Sequence, residues 1–395
     1  MTRLILILLL FSCSLGVSAR DTWKNIERVI AIGDLHGDYE QFRAVMMMSG
    51  LMDENSVWIG GRTHLVQTGD LPDRGPDSLK IIRDLQSLKK AARKAKGYVH
   101  LLIGNHEAMN VYGDLHYVHP GEYQALVNAK SEAKQTDYYQ RFIAYLAGNN
   151  PETTIDEAFK TRWMNRYPLG YVEHRVLWQP GGELAKWIGQ HNTVIKINDI
   201  LFVHGGIDPH LPFKTIREIN KTISRDLRQT PLPEGSLAEL PSGPMWYRGL
   251  ARNPEETELP ALIKMLAFYG ANHIIMGHTP TRGFINPRFD SRAIIIDVGM
   301  AAHYGRGMAA LLIEKGNLSA IHRGEIIPLP RVDKDLKAYF QKIEPLEPNP
   351  KYVQKVIEVL DLNENPVLIK EEPEENAQEE PGKEFAEDIE PTRLQ

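Results

Sequence analysis

The sequence predicts an α/β fold with a layered core, in which short strands alternate with helices. Three observations lead to this prediction. Short runs rich in Val, Ile and Leu recur along the chain, helical segments separate several of them, and five runs lead into a glycine beside Asp, Asn or His. With 395 residues, 42% of them hydrophobic, the chain can bury one large core or two modest ones.

The first part of the predicted fold alternates regularly between strand and helix. Arg28–Ile32, Leu65–Thr68 and Tyr98–Ile103 are apolar runs typical of buried strands. The helices predicted between them are Asp38–Met48 and Asp77–Lys96, and a glycine ends the second helix.

The later part of the chain returns to strands after a long helical interruption. The strands predicted there are Asn192–Ile197, Ile200–Val203, His273–Met276, Ala293–Asp297, Met308–Glu314 and Leu318–Arg323. The last two are predicted to form a hairpin around Lys315-Gly316-Asn317. Two amphipathic segments, Asp335–Ile343 and Val353–Leu360, are expected to pack on the domain as helices.

This pattern divides the chain into a main domain over residues 20–345, a C-terminal helix at 346–363 and an acidic disordered tail at 364–395. Between Lys370 and Glu390 the tail has ten acidic residues and two lysines, a composition typical of a solvated segment. An aromatic-rich insertion at about 112–187 interrupts the main domain. We expect it to cap the site, with a satellite helical cluster at the sheet edge as the alternative.

The first residues have the features of an export signal. Arg3 precedes an apolar run from Leu4 to Phe11, and Val17-Ser18-Ala19 supplies short residues where a signal peptidase cleaves. We therefore expect a signal peptide at residues 1–19, a periplasmic or secreted protein, and no transmembrane segment in the mature chain. A lipid anchor at Cys13 is the weaker alternative.

Cysteine content and charge exclude several classes of function. Cys13 is the only cysteine, and it lies in the segment predicted to be removed. The mature protein would therefore have no thiol nucleophile and no disulfide, which excludes cysteine-based phosphatase or protease chemistry. A net charge of -5 gives no general attraction to nucleic acid, so we predict no nucleic-acid partner.

Polar motifs follow five of the predicted strands. In chain order they are Gly33-Asp34-Leu35-His36-Gly37-Asp38, Gly69-Asp70-Leu71-Pro72-Asp73-Arg74-Gly75, Gly104-Asn105-His106-Glu107, His204-Gly205-Gly206 and Gly277-His278-Thr279-Pro280. Ligands collect at the carboxyl ends of strands in α/β sheets, and glycine permits the tight turns that direct side chains there. Each motif alone is weak, but the ordered set predicts one shared site.

The side chains of these motifs suit two divalent cations such as Mn, Fe or Zn. Asp34 and His36 can reach one ion from a single turn, and Asp70 can bridge both ions because a carboxylate has two oxygens. The remaining ligands, to the second ion, are Asn105, His204 and His278. Two ions roughly 3.5–4 Å apart neutralise phosphoryl oxygens and generate a metal-bound hydroxide near neutral pH.

Three residues of the motifs are left over after metal ligation. Arg74 has the planar fork that binds phosphate oxygens. His106 is placed to protonate the leaving oxygen, and Asp73 can orient that imidazole and hold it protonated. These residues predict hydrolysis of a phosphate ester without a covalent intermediate.

The motif set closely resembles the phosphoprotein phosphatase branch of the calcineurin-like metallophosphoesterases, over roughly residues 28–328. Asp73-Arg74-Gly75 is the discriminating feature, and Pro280 stands where broader members of the family have another histidine. The resemblance implies a β-sandwich flanked by helices. It assigns Asp34, His36 and Asp70 to the first ion, and to the second ion Asp70, Asn105, His204 and His278.

Within that branch the chain looks most like the Shewanella-like protein phosphatases. This resemblance implies a second phosphate-binding arginine at Arg248, with Arg252 as the alternative, and adds Asn105 to the phosphate-binding set. Tyr304 matches the tyrosine-bearing loop of the family only loosely, and a packing role is the alternative.

The resemblance implies a protein phosphatase that acts on phosphorylated proteins or peptides by direct attack of the metal-bound hydroxide. Phosphotyrosine is the favoured substrate, and phosphoserine or phosphothreonine the second choice. A dinucleoside polyphosphate hydrolase is an alternative in the same branch. A non-catalytic phospho-binding scaffold is the alternative from another class of protein.

Overall fold

The computed structural model describes residues 20–362. The strands in this range are β1 Thr22–Trp23, β2 Arg28–Ile32, β3 His64–Gln67, β4 Tyr98–Leu101, β5 Val194–Ile197, β6 Ile200–Val203, β7 His273–Met276, β8 Asn286–Arg288, β9 Ala293–Ile295, β10 Ala309–Glu314, β11 Asn317–His322 and β12 Glu325–Pro328. The predicted signal peptide at residues 1–19 and the tail at 364–395 lie outside the described residues.

The helices alternate with the strands and dominate the insertion. They are α1 Tyr39–Met48, α2 Ser78–Lys94, α3 Asn105–Tyr112, α4 Pro120–Gln124, α5 Ser131–Asn149, α6 Glu157–Arg166, α7 Tyr171–Trp178, α8 Glu183–Ile188, α9 Ile216–Asp226, α10 Gly249–Arg252, α11 Glu255–Tyr269, α12 Leu336–Ile343 and α13 Lys351–Asp361. None of these helices is both long enough and apolar enough to cross a membrane.

The strands form two six-stranded mixed sheets. One has the order β1-β5-β6-β7-β9-β8, and the other has the order β12-β11-β10-β2-β3-β4. Strands β2, β3 and β4 are parallel to one another, as are β6, β7 and β9. The carboxyl ends within each parallel group therefore meet at one edge of their sheet, where an α/β protein places its site.

A single apolar core joins the two sheets. Ile30 and Leu65 of one sheet and Leu201 and Ile275 of the other are fully buried in the same hydrophobic cluster. The sheets therefore pack against each other, and helices such as α2, which contacts β4, flank them. The predicted α/β fold class is confirmed.

A second, smaller core lies within the insertion. Its fully or largely buried members are Tyr138, Tyr139, Phe142, Leu146, Phe159, Trp163, Tyr167 and Tyr171. Trp163 is at its centre, with its ring centroid 5.3 Å from that of Tyr138, 5.0 Å from Tyr139 and 4.7 Å from Tyr167. Aromatic packing of this kind stabilises a helical cluster that has no sheet of its own.

Several element boundaries differ from the sequence predictions. The first helix begins at Tyr39 because Asp38 is its N-cap and accepts a hydrogen bond from the Gln41 amide. The predicted strand Tyr98–Ile103 ends at Leu101. The elements that the sequence analysis did not predict are the short strands β1, β8 and β12 and the helices α3, α9, α10 and α11.

Candidate active site

The five predicted motifs converge where the two sheets meet. Asp34, Asp70 and Asn105 follow strands of one sheet, and His204 and His278 follow strands of the other. His204 Nε2 lies 2.9 Å from Asn105 Oδ1 and 3.2 Å from Asp70 Oδ2, so the sheets bring their motifs into direct contact. All five side chains are buried.

Two groups of side chains have the spacing needed to hold a metal ion. The first contains His36, Asp70 and His106, and the second contains Asp70, His204 and His278; within each group the ligand atoms lie within 4.8 Å of one another. Asp70 is common to both groups. The structure thus places the carboxylate predicted to bridge the ions between the two candidate sites.

The positions of Asp34 and His106 differ from the predicted ligand set, which contains Asp34 but not His106. Asp34 Oδ2 is 4.0 Å from His36 Nε2, and the same carboxylate accepts a hydrogen bond of 3.0 Å from the His278 amide. His106, predicted to be the proton donor, lies with Nε2 3.8 Å from Asp70 Oδ2. It therefore stands beside the first candidate metal position.

One buried atom of the second metal-binding group independently supports a bound cation. His278 Nε2 is buried and has no hydrogen-bond partner among the described residues. A buried, unpartnered imidazole nitrogen is costly unless something fills its acceptor position, and a cation does so. The surrounding carboxylate, amide and imidazole donors suit first-row divalent metals.

Buried carboxylates shape the electrostatics of the site. Burial raises the pKa of Asp34 well above its usual value, and the nearby Asp297 and Asp70 raise it further. Burial alone would also raise the pKa of Asp70, but His204 and His106 outweigh it and lower that pKa well below its usual value. Positive charge at the site is therefore needed to keep all of these carboxylates ionised together.

Five non-glycine residues of the motifs have left-handed backbone conformations. Their φ angles are 45° at His36, 58° at Asp70, 71° at Asp73, 64° at Arg74 and 65° at His278. Such conformations cost of the order of 1–3 kcal/mol each in bulky residues and persist where the surroundings enforce them. The site loops are thus held in place by their neighbours.

Glu107 is one of the neighbours that hold these loops, and the sequence analysis gave it no role. Its carboxylate accepts hydrogen bonds from the backbone amides of Asp70 at 2.9 Å, Leu71 at 2.7 Å and Gly104 at 2.7 Å. It therefore ties the loop of the bridging carboxylate to the loop of Asn105. Its position in the Gly-Asn-His-Glu motif is the sequence feature that could have indicated this role.

Asp73 and His106 form the predicted pair. Asp73 Oδ2 lies 2.6 Å from His106 Nδ1, and Asn110 donates to the other oxygen of Asp73 at 2.9 Å. Burial raises the pKa of Asp73 to about 8 and lowers the pKa of His106 to about 4. Nδ1 is therefore engaged by Asp73, and Nε2 of the same ring faces Asp70 among the metal-binding residues.

The insertion reaches the site through residues just after α3. The Arg74 guanidinium lies 3.9 Å from the centre of the Tyr117 ring, and the Arg74 amide donates to the Tyr117 carbonyl at 3.1 Å. Glu122 accepts hydrogen bonds from the Asp73 amide at 2.9 Å and from Ser78 Oγ at 2.6 Å. Sequence reasoning missed Tyr117 and Glu122, because neither lies in a motif that follows a strand.

The residues assigned from the family resemblance outside the five motifs are Arg248, with Arg252 as the alternative, and Tyr304. Arg248 donates a hydrogen bond to the carbonyl of His278 and another of 3.2 Å to Thr279 Oγ1. Arg252, the alternative, is the last residue of α10. The ring of Tyr304 lies 5.3 Å from that of His36, which brings this tyrosine near the first metal group.

Two glycines let the first two motif loops approach each other closely. A Cβ on Gly37, whose φ is +63°, would lie 2.4 Å from the carbonyl oxygen of Gly75. A Cβ on Gly75 would lie 2.4 Å from the carbonyl oxygen of His36. The loops that carry His36 and Arg74 therefore interlock by direct backbone contact.

Comparison with known proteins agrees with this geometry. The family model for calcineurin-like phosphoesterases matches residues 27–282. An uncharacterized protein of Schizosaccharomyces pombe is 31% identical over 316 residues, which cover 76% of this chain and 82% of the relative. Shewanella-like protein phosphatase 2 of Arabidopsis thaliana is 30% identical over 304 residues, which cover 72% of this chain and 74% of the relative.

A solved structure extends the comparison to the fold. The cold-active protein-tyrosine phosphatase of a psychrophilic Shewanella species is 28% identical, with a TM-score of 0.59, and the match covers 78% of this chain and 82% of that one. A symmetrical bis(5'-nucleosyl)-tetraphosphatase of Buchnera aphidicola is 32% identical over 114 residues, which is 29% of this chain and 32% of the relative. The predicted calcineurin-like fold is confirmed. The chain belongs to the calcineurin-like phosphoesterase family, within its group of Shewanella-like protein phosphatases.

Proposed function

We propose that this protein is a metal-dependent protein phosphatase that prefers phosphotyrosine. The observation that carries the proposal is the pair of metal-binding groups that share Asp70, with the Asp73–His106 pair and Arg74 beside them. Two divalent cations, when bound, would neutralise phosphoryl oxygens and activate a water for attack at phosphorus. Mn²⁺ is our proposed metal, and Fe and Zn²⁺ accept the same ligands.

We propose for the ligands the roles that the family resemblance implies. Asp34 and His36 would hold the first ion together with Asp70. The ligands to the second ion would be Asp70, Asn105, His204 and His278. Because Glu107 fixes the backbone of Asp70, it would keep the shared carboxylate between the two positions.

The other residues would act on the substrate. Arg74, held against the Tyr117 ring, would bind phosphate oxygens, and Arg248, which directly precedes α10, would do so as well. Asn105 would bind phosphate as well as metal. His106, carrying a proton on each ring nitrogen, would deliver the Nε2 proton to the leaving oxygen, while Nδ1–H donates to Asp73 and the ring is thereby oriented.

The preference for phosphotyrosine has two supports. The solved relative from Shewanella is described as a protein-tyrosine phosphatase and covers most of the domain. The phenol of tyrosine, with a pKa near about 10, is also a better leaving group than a seryl alcohol. Phosphoserine and phosphothreonine proteins are the second choice.

The two alternative functions are a dinucleoside polyphosphate hydrolase and a phospho-binding scaffold. A dinucleoside polyphosphate hydrolase is favoured only by the short match to the Buchnera tetraphosphatase, which covers 29% of this chain. A phospho-binding scaffold would retain metal without turnover. The residue types at the six ligand positions and at His106 argue against a scaffold.

A side-by-side assay tests the proposal. The purified protein, loaded with Mn²⁺, Fe or Zn²⁺, is given a phosphotyrosine peptide, a phosphoserine peptide and a dinucleoside tetraphosphate, and kcat/KM is measured for each. We expect the highest value for phosphotyrosine. Asp70→Asn is the catalytic control and should lose more than about 100-fold, since even residues that only support ligands are worth about 10–100-fold.

Each alternative has its own outcome in this assay. A higher kcat/KM for the dinucleotide would establish the polyphosphate hydrolase instead. Two bound ions per chain without turnover of any substrate would establish the scaffold. Activity that is unchanged in Asp70→Asn would contradict the assignment of the shared carboxylate.

We also propose that residues 1–19 direct export to the periplasm or the medium. The basis is the charge, apolar run and short residues of the segment. The test is N-terminal sequencing of the protein recovered from periplasm and medium. A mature chain that begins at Arg20 is expected, and an uncleaved protein confined to the cytoplasm would overturn the proposal.

A further inference from the structure

A cavity of about 420 Å³ lies at the end of the sheet opposite to the metal-binding motifs. His64, the first residue of β3, and Tyr98, the first residue of β4, both line it. Asp70 and Asn105 lie beyond the other ends of the same two strands. The cavity is therefore separate from the candidate active site.

The cavity combines an aromatic floor with a cationic rim. Trp23 and Tyr98 form the floor with ring centroids 5.6 Å apart. Its exposed cationic residues are Arg20, Lys24, Arg93 and Lys96. No acidic residue lines the cavity, and within residues 20–362 no carboxylate forms an ion pair with any of these four cations.

Two of the cations are held over the aromatic floor. The Arg20 guanidinium lies 5.3 Å from the centre of the Trp23 ring, and that of Arg93 lies 5.3 Å from the Tyr98 ring. Arg93 also hydrogen-bonds the Tyr98 hydroxyl at 3.3 Å. These contacts orient positive charge at the mouth of an apolar recess.

This arrangement selects a ligand with several negative charges around an apolar or aromatic group. An exposed ion pair is worth only about 0.2–1 kcal/mol, so a single carboxylate would bind weakly at this rim. Several carboxylates flanking a ring would engage the rim and the floor together. An acidic peptide that contains an aromatic residue has this chemistry.

We propose that the cavity binds the acidic C-terminal segment of this chain around Phe385. That segment reads Glu384-Phe385-Ala386-Glu387-Asp388, and Phe385 is the only aromatic residue between Lys370 and Glu390. Its ring would lie on Trp23 and Tyr98, and its carboxylates would meet the four cations. The inference does not depend on the proposed function.

The length of the chain permits this contact. Phe385 lies 23 positions after the last described residue, Leu362, and an extended chain of that length would span about 75 Å. A domain of this size is about 50 Å across. Because the segment is tethered, its effective concentration at the cavity can reach about the millimolar range, so weak intrinsic affinity suffices.

The test is a competition experiment on the full chain. A fluorescent peptide with the sequence of residues 379–390 is titrated with two proteins by anisotropy: the wild type, and a tail variant with Glu384→Gln, Phe385→Ala and Glu387→Gln. The tail variant should bind the peptide. The wild type should bind it about tenfold more weakly, because its own tail occupies the cavity.

Charge reversal at the rim locates the binding. Arg93→Glu with Lys96→Glu, made in the tail variant, should weaken peptide binding about tenfold or more. Lys160→Glu with Arg162→Glu, at two exposed cations of α6, changes the net charge equally, is the matched control and should leave it unchanged. Far-UV circular dichroism and thermal unfolding of both variants check that they are folded.

Three results would overturn the proposal. The tail variant could fail to bind the peptide at low salt, the wild type and the tail variant could bind it equally, or the rim reversal could leave the affinity unchanged. The first result rules out the ligand. The second rules out the tail of the chain as its occupant, and the third rules out the cavity.

Discussion

The active site and the aromatic cluster of the insertion are both buried, but they are built in opposite ways. The site packs carboxylates and imidazoles together on strained, left-handed backbone. The cluster packs rings around Trp163. Buried charged groups and strained backbone lower the free energy of unfolding, whereas buried aromatic rings raise it. We infer that the cluster stabilises the insertion, whereas the site depends on the sheets and on Glu107 for its shape.

A short segment of the insertion, which contains Tyr117 and Glu122 and which we call the bridge, joins these two regions. Tyr117 contacts Arg74, and Glu122 holds the Asp73 amide, although both residues belong to the insertion. Tyr117 also faces His106, with ring centroids 5.1 Å apart. The insertion therefore either adds stability alone or also orients the catalytic pair, and mutations distinguish these two roles.

The largest expected effect on activity is at His106, in the buried polar active site. His106→Gln should slow hydrolysis of alkyl phosphates by about 10²–10⁴-fold, because alkoxides need a proton as they leave. The loss should be much smaller for nitrophenyl phosphate and intermediate for phosphotyrosine. The measurement is kcat/KM for the three substrates in wild type and variant.

A control histidine makes this result specific. His210 is half exposed, with its contact at Glu258 rather than at the site, so His210→Gln should leave all three rates nearly unchanged. An equal loss across leaving groups in His106→Gln would show that His106 organises metal or phosphate instead of donating a proton.

A smaller effect is expected at Glu122, on the bridge between the regions. Glu122→Ala leaves the Asp73 amide and Ser78 Oγ without their acceptor, so Asp73 and His106 should lose alignment. We expect kcat for alkyl phosphates to fall about tenfold, with KM little changed. Glu122→Gln retains an acceptor oxygen and should lose less.

The leaving-group pattern separates positioning from simple destabilisation. A loss that grows with leaving-group basicity would place Glu122 behind His106 in the same chain of contacts. Glu132→Ala, an exposed change at the start of α5, is the control within the insertion. If kcat falls equally for all substrates, or Glu132→Ala matches Glu122→Ala, the bridge has no role in orientation.

The smallest effect on activity is expected at the centre of the aromatic cluster. Trp163→Ala should lower the stability of the insertion by about 3–5 kcal/mol, the usual cost of removing a buried Trp. Because Glu122 has its own hydrogen bonds to the domain, kcat/KM below the unfolding transition should stay within about twofold. Hydrogen exchange in α5 and α6 reports the stability change.

The exposed Phe268 supplies the control for Trp163. Phe268→Ala removes a ring that is 50% exposed and should change stability little. If Trp163→Ala lowered kcat for alkyl phosphates as much as Glu122→Ala, the cluster would be setting the orientation of the catalytic pair, and the separation between the two regions would fail.

Most residues of the site could be predicted from their local sequence. Asp34, Asp70 and His278 could be predicted because each follows a strand and a glycine, and the parallel order of the strands brings those positions together. Tyr117 and Glu122 could not be predicted. Their contacts with Arg74 and Asp73 cross more than forty residues of sequence, and no motif marks them.

The strands and the helix that could not be predicted have local sequences that lack the usual signals or contradict them. Strand β8 contains Pro287, which argues against a strand, and it lies at the edge of its sheet where proline is tolerated. Helix α11 contains Pro260 in its interior. Strand β1 has two residues, too few to show the alternation that predicts a strand. For both strands, pairing with a neighbouring strand decides the structure.

The interlocked glycines of the first two motif loops have a consequence for engineering. Every residue other than glycine at position 37 or 75 would push the opposite loop away, and with it the imidazole of His36 or the guanidinium of Arg74. No smaller side chain exists to compensate, so neither position can be rescued by a change at the other. Libraries that aim to alter substrate choice should therefore keep Gly37 and Gly75 constant and diversify the insertion residues around Tyr117.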